Sequence, residues 1–171
     1  MAKWICAPIL FCFFVVTVLA VEPAKQETPT APNEKTALAN PHEETAKELL
    51  RLHNAARKKA GKPALRLNAR LSSAAQRFAE FLAKSRKYEH DADGRTPAER
   101  IDAEGYEWSS WSENIAWGTR EPAEVMKTWI NSKEHRVNIL GDEKEVGFGI
   151  CEDVWVADFA TQLKVASKKD E

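Results

Sequence analysis

Two short strings hold most of the residues that could do chemistry. Trp-Ser-Glu-Asn-Ile-Ala-Trp-Gly over 111–118 sets Glu113 among tryptophans, and Trp-Ile-Asn-Ser-Lys-Glu-His-Arg-Val-Asn-Ile-Leu over 129–140 sets His135 shortly after another. A carboxylate and an imidazole can ligate a metal, relay a proton or hold a polar ligand. Apolar neighbours desolvate Glu113, so it needs a partner or its pKa rises. A solvated surface needs no such aromatic bulk, and a plain core needs no Glu, His or Arg. The pattern predicts a polar cleft with apolar walls.

The histidines are not equivalent. His42 opens a helix and is expected to be exposed. His53 lies inside a helical stretch, Leu52-His53-Asn54, and is expected to pack and hydrogen-bond locally. His90, in Tyr88-Glu89-His90-Asp91, closes the second helical segment, and His135 sits in a short turn that Ser132 can cap. Polar residues at element ends are the better site candidates. His90, Glu113 and His135 lie far apart along the chain, so only the fold can unite them. No His-Glu-x-x-His, Cys-x-x-Cys, Gly-x-Ser-x-Gly or phosphate-binding glycine loop is present.

These residues need elements to position them. Pro41 follows Asn40 and begins a helix with Leu49, Leu52, Ala56 and Ala60 at helical spacing, ended by Gly61 and Pro63. Asn68 caps a second helix whose stripe is Leu71, Ala75, Phe78 and Leu82. Thr96-Pro97-Ala98-Glu99 is a capping box for a short third helix. Glu121-Pro122 opens a fourth, with Val125, Met126, Trp129 and Ile130 inward. Asn114–Trp117 reads as a strand. Val146–Cys151 and Val154–Phe159 read as a hairpin around Glu152-Asp153. Gly147 and Gly149 share one face of their strand, which would let another element approach closely. The composite is α+β, with helices covering a small antiparallel sheet.

The ends have other work. Lys3 followed by the apolar run Ile5–Ala20, with Val18 and Ala20 at the small-residue positions, reads as a signal peptide over 1–20. The run is shorter than the roughly 20 apolar residues that a spanning helix needs, so no stable transmembrane anchor is expected after cleavage. Residues 21–40 are rich in Pro, Thr and Glu and read as a disordered linker. Residues 166–171 read as a flexible tail. One domain is left, 41–165. Cys6 and Cys12 leave with the signal, so Cys151 has no partner for an intramolecular disulfide. A formal charge of −1 gives no electrostatic case for nucleic acid.

The order of these features resembles the CAP superfamily (cysteine-rich secretory proteins, antigen 5 and pathogenesis-related-1 proteins), also called SCP-like extracellular domains, in its bacterial form. Leu52-His53-Asn54-Ala-Ala-Arg57 matches the first-helix motif, Leu71-Ser-Ser-Ala-Ala-Gln-Arg-Phe-Ala the second helix, and Tyr88-Glu89-His90 the position of the first cleft histidine. Ser112-Glu113-Asn114-Ile115-Ala116 and Trp129 through Leu140 match the two signature strings, and Val146-Gly-Phe-Gly the strand that follows. The resemblance covers residues 42–163. It implies an α-β-α sandwich with a central cleft of two histidines and two acids, for which divalent metal binding has been proposed. His90, Glu113 and His135 carry over, but Ser132 stands where the second acid would be. Three such groups can hold Zn²⁺ with an open fourth position. His90, Glu113, His135 and Ser132 are therefore the expected cleft residues, the first three being candidate metal ligands. Asn114, Arg136 and Asn138 are expected to fix loops by hydrogen bonding.

The leading functional reading is a secreted, extracellular or periplasmic binding module without enzymatic activity. Its cleft would take a divalent metal or a small ligand, and its partner would be a small molecule, lipid, glycan or envelope protein. A structural or interaction protein with an inactive cleft is one alternative. A metal-assisted hydrolase, such as a protease with Glu113 as base, is the other.

Overall fold

The computed structural model describes residues 41–164. The expected signal peptide, linker and tail lie outside them. Five helices and four strands follow in the order α1 (Pro41–Lys59), β1 (Arg66–Leu67), α2 (Ala69–Ser85), α3 (Pro97–Ala103), β2 (Trp108–Trp117), α4 (Pro122–Asn131), α5 (Lys133–Ile139), β3 (Glu145–Cys151) and β4 (Val154–Gln162).

Local chemistry sets the helix ends. α1 carries Glu43 and Glu44 in its first turn and Arg57, Lys58 and Lys59 in its last, which complements the helix dipole. Gly61 follows with φ +70°. The Asn68 side chain accepts from the backbone of Arg70 and Leu71 to start α2. Thr96 and Glu99 form a reciprocal capping box on α3. Ser132 accepts from the His135 amide and so caps α5.

The sheet runs β1-β3-β4-β2. β3 and β4 form the expected antiparallel hairpin, and β4 pairs antiparallel with β2. Alternation divides the two faces. Val146, Phe148, Trp155, Ala157 and Phe159 join Ala116 and meet Leu49 of α1 and Val125, Met126 and Trp129 of α4 in one core. Ile115, Val154 and Val156 face Ala75, Phe78, Ala79 and Leu82 of α2 in another. The result is a three-layer α-β-α sandwich. Gly147 and Gly149 let α2 lie on the sheet. A Cβ at either would collide with the α2 backbone, at Leu71 and Ser72 or at Ala75 and Gln76.

Three expectations change. The strand expected at Asn114–Trp117 begins at Trp108, because Trp108 to Ser112 pair with Phe159 to Gln162 although their serines weaken the apolar alternation. The sheet is mixed, since the two-residue β1 pairs parallel with β3. α2 stops at Ser85, where Arg86 turns left-handed with φ 57°, so His90 lies in a turn rather than at a helix end.

Candidate functional site

Glu113 lies opposite Asp158 in the β2–β4 ladder, and Asp158 lies opposite Gly147 in β3. All three positions face α2. The space that a side chain at Gly147 would need is taken by the α2 backbone at Leu71 and Ser72, so the helix lies directly on this part of the sheet. The Glu113 side chain is only 1 % exposed, and two donors hold its oxygens: His90 Nδ1 lies 2.6 Å from Oε1 and Arg100 Nη2 lies 2.8 Å from Oε2. A carboxylate only accepts, so Nδ1 carries the hydrogen.

Arg100 comes from α3, which the capping box and Pro97 fix. Its Nη1 donates to Asp93 Oδ1 at 2.9 Å and to the Arg95 carbonyl at 2.8 Å, and its Nη2 also donates to the His90 carbonyl at 2.9 Å. The guanidinium carbon lies 3.4 Å from the centre of the Phe78 ring. One buried cation thus joins β2 to the turn that carries His90 and stacks on the core of α2.

Below this pair, Asp158 is fully buried and neither of its oxygens receives a hydrogen bond. Desolvation, with the Glu113 charge beside it, pushes its carboxyl well above the usual range. The neutral acid is the form that this burial favours. The sign of the remaining charge then separates the two imidazoles. The hydrogen bond to Glu113 raises the His90 pKa above 6.5, whereas burial and then the charge on His90 lower that of His135. His90 therefore takes a proton before His135 does.

His135 completes the site only in part. Its carbonyl accepts from Asn114 Nδ2 at 3.1 Å, while its ring Nδ1 is buried without a partner. Asn138 Nδ2 donates to the Glu113 carbonyl at 3.1 Å and to Asn114 Oδ1 at 2.8 Å, and so ties α5 to β2. Arg136 donates to the Ile130 carbonyl at 3.0 Å. Ser132 Oγ donates to Glu134 Oε2 at 3.0 Å as well as capping α5, so both groups are occupied at the helix start.

The expected cleft is a capped cluster. Glu113 is covered, and the accessible group is His90, whose side chain is 56 % exposed. The arrangement does not fit a divalent ion. Among the described residues no three His, Cys, Asp or Glu side chains converge to hold one. Both oxygens of Glu113 are engaged, one by His90 and the other by the Arg100 guanidinium. The open grooves lie elsewhere. A groove of about 590 Å³ between α1 and α4 is lined by Leu52, Met126 and Ile130, and another of about 870 Å³ by Ala46, Ser72 and Phe148.

His53 is structural. Its Nδ1 lies 2.8 Å from the Leu49 carbonyl, and its ring sits among Trp129, Phe148 and Phe159 at 5.1–5.8 Å between centres. Arg57 donates to the carbonyls of Pro63, Ile139, Gly141 and Glu143, clipping α1 to the chain between α5 and β3. Cys151 is partly buried and its thiol pKa is raised by desolvation, the opposite of an activated nucleophile.

Sequence reasoning missed Arg100 and Asp158. Asp158 had a signal: an acid at an inward position of the apolar run Val154–Phe159. Arg100 had none, because an arginine in a short polar helix looks like any surface residue.

The three-layer sandwich makes this a small α+β domain. The model of the CAP, cysteine-rich secretory protein, family matches residues 50–159, and the chain belongs to that family. It is 30% identical over 142 residues to the uncharacterized protein YkwD of Bacillus subtilis; the match spans 80% of this chain and 55% of that protein, so the chain spans about half the length of that curated relative. Among solved structures, an outer surface protein of Borrelia burgdorferi is 25% identical with a TM-score of 0.67, the match covering 70% of this chain and 94% of that one. An extracellular protein of Bacillus anthracis containing an SCP domain has the same fold at 18% identity, with a TM-score of 0.68 over 74% of this chain and 45% of that one.

Proposed function

We propose that this chain is an exported, non-enzymatic binding module whose ligand contacts His90, with His135 beside it. One observation carries the reading: an exposed imidazole anchored on a buried, arginine-neutralised carboxylate. A domain that needed only stability could fill this layer with apolar side chains at no loss, because buried ion pairs return little net stability. The network instead holds one accessible polar group in a fixed orientation, as a binding site requires. Export is supported by the apolar Ile5–Ala20 segment and by relatives described as extracellular and as an outer surface protein. A hydrolase reading is not favoured, since a general base needs access to water and Glu113 has both oxygens engaged.

The test uses acetate, phosphate and Zn²⁺ as probes of different chemistry. The ring resonances of His135 are followed by NMR in the purified chain and in His90→Ala, and those of His90 in the purified chain. Saturable shifts of His135 from at least one probe, lost in the variant, are expected, with Zn²⁺ the weakest because His90 and Arg100 already hold both Glu113 oxygens. No response to any probe, or the same response in His90→Ala, would leave only a structural role.

A further inference from the structure

Trp117 is the most conspicuous apolar group outside the cluster. It is 53 % exposed, although it ends a strand whose preceding four residues are all buried. Its indole stacks on Tyr88, with ring centres 4.3 Å apart and planes 5° from parallel. A tryptophan with one face covered and half its surface open leaves the other face to solvent. Exposed large apolar groups are the informative exceptions on a surface.

The platform is rigid. Trp117 is registered opposite Val154, and the chain then turns at Gly118, whose amide donates to the Asp153 carbonyl at 3.1 Å. Tyr88 packs on the buried cluster of Ile115, Val154 and Val156. Arg86 borders the stack: its Nη1 donates to the Tyr88 hydroxyl at 3.4 Å, its Nη2 to Glu152 at 3.5 Å, and it pairs with Asp153 at 3.7 Å. Charged groups of both signs therefore lie at the Tyr88 edge of the stack.

We infer that the open face of Trp117 is a sugar subsite, for a pyranose of a β-linked glucose or N-acetylglucosamine chain. Such a ring carries its hydroxyls equatorially and its axial C–H groups on its faces. Those polarised C–H groups suit the negative face of the indole, and the equatorial hydroxyls point outward to water. Other ligands fit less well. Binding of a quaternary ammonium uses an aromatic cage, and these two rings are parallel. A stacked nucleobase brings phosphates, and a chain of formal charge −1 offers no excess of cations for them. Because Tyr88 already stacks on Trp117, little of the ring ordering is left to binding. The inference stands apart from the His90 reading.

The test is calorimetric titration of the full chain with soluble oligomers of β-linked glucose and of β-linked N-acetylglucosamine. Saturable binding to at least one is expected. Trp117→Ala should weaken it by about tenfold or more, and Trp117→Phe by only a few fold, since a smaller aromatic face remains. Circular dichroism confirms that both variants fold. Lys127→Ala, an exposed change on α4, should bind sugar as the parent does. Absence of sugar binding in the parent, equal binding in Trp117→Ala, or saturation by tetramethylammonium but not by sugar would overturn the inference.

Discussion

Arg100 offers the sharpest test of how this site is built. Replacing it with Met keeps much of its volume over Phe78 but strips the cation from two carboxylates, Glu113 at 2.8 Å and Asp93 at 2.9 Å, whose side chains are 1 % and 6 % exposed. Breaking a buried pair by removing one partner costs about 3–5 kcal/mol, because the remaining charge stays desolvated. Small domains have only about 5–15 kcal/mol in total, so the variant should sit near the edge of folding. The damage comes from the orphaned charge rather than from the lost contact, and a second change should repair part of it. Glu113→Gln alone should cost about 1–3 kcal/mol. In Arg100→Met/Glu113→Gln the amide needs no counter-charge, and the double variant should lose at least about 2 kcal/mol less than the two single losses together. Urea unfolding of the four proteins near neutral pH measures this coupling. Additivity within about 0.5 kcal/mol would refute the claim that Arg100 serves as the counter-ion of Glu113.

Two other groups give pH-dependent predictions. Burial lowers the His53 pKa from 6.5 to about 4, so the folded protein binds fewer protons than the unfolded chain between those values. Stability should thus be complete above 6.5 and fall as pH drops towards 4, by at most about 3 kcal/mol, and His53→Leu should flatten that slope in acid unfolding curves. The Asp158 pKa moves the other way. Its folded form binds more protons, so its ionisation opposes folding as pH rises above the unfolded value near 3.8. Asp158→Asn imitates the neutral acid and should be as stable as the parent or more stable near neutral pH. A loss above about 2 kcal/mol in urea unfolding would mean that the buried group is needed as an anion.

Much of the fold was legible because its signals are local. The capping box at Thr96, the cap at Asn68, the stripe of α2 and the Glu152-Asp153 hairpin depend on residues a few positions apart, and each is present. The Gly147 and Gly149 pair announced the close approach of a helix, since a missing Cβ on one strand face has few other uses. Trp108–Ser112 was harder to read, because a strand at the sheet edge can carry serines without breaking its ladder.

The sequence on its own determined where helices begin and end, which faces are apolar, which histidines stand at turns and which family the chain resembles. Only the tertiary structure decided what those polar groups meet. The β2–β4 register sets Glu113 against Asp158, the docking of α3 brings Arg100 onto both Glu113 and Phe78, and the α2–α3 turn lays Tyr88 on Trp117. The physical reason is distance along the chain. Capping and periodicity act over one helical turn, whereas ion pairing and ring stacking depend on how separate elements pack. An arginine bound for the interior therefore reads in sequence like one bound for water.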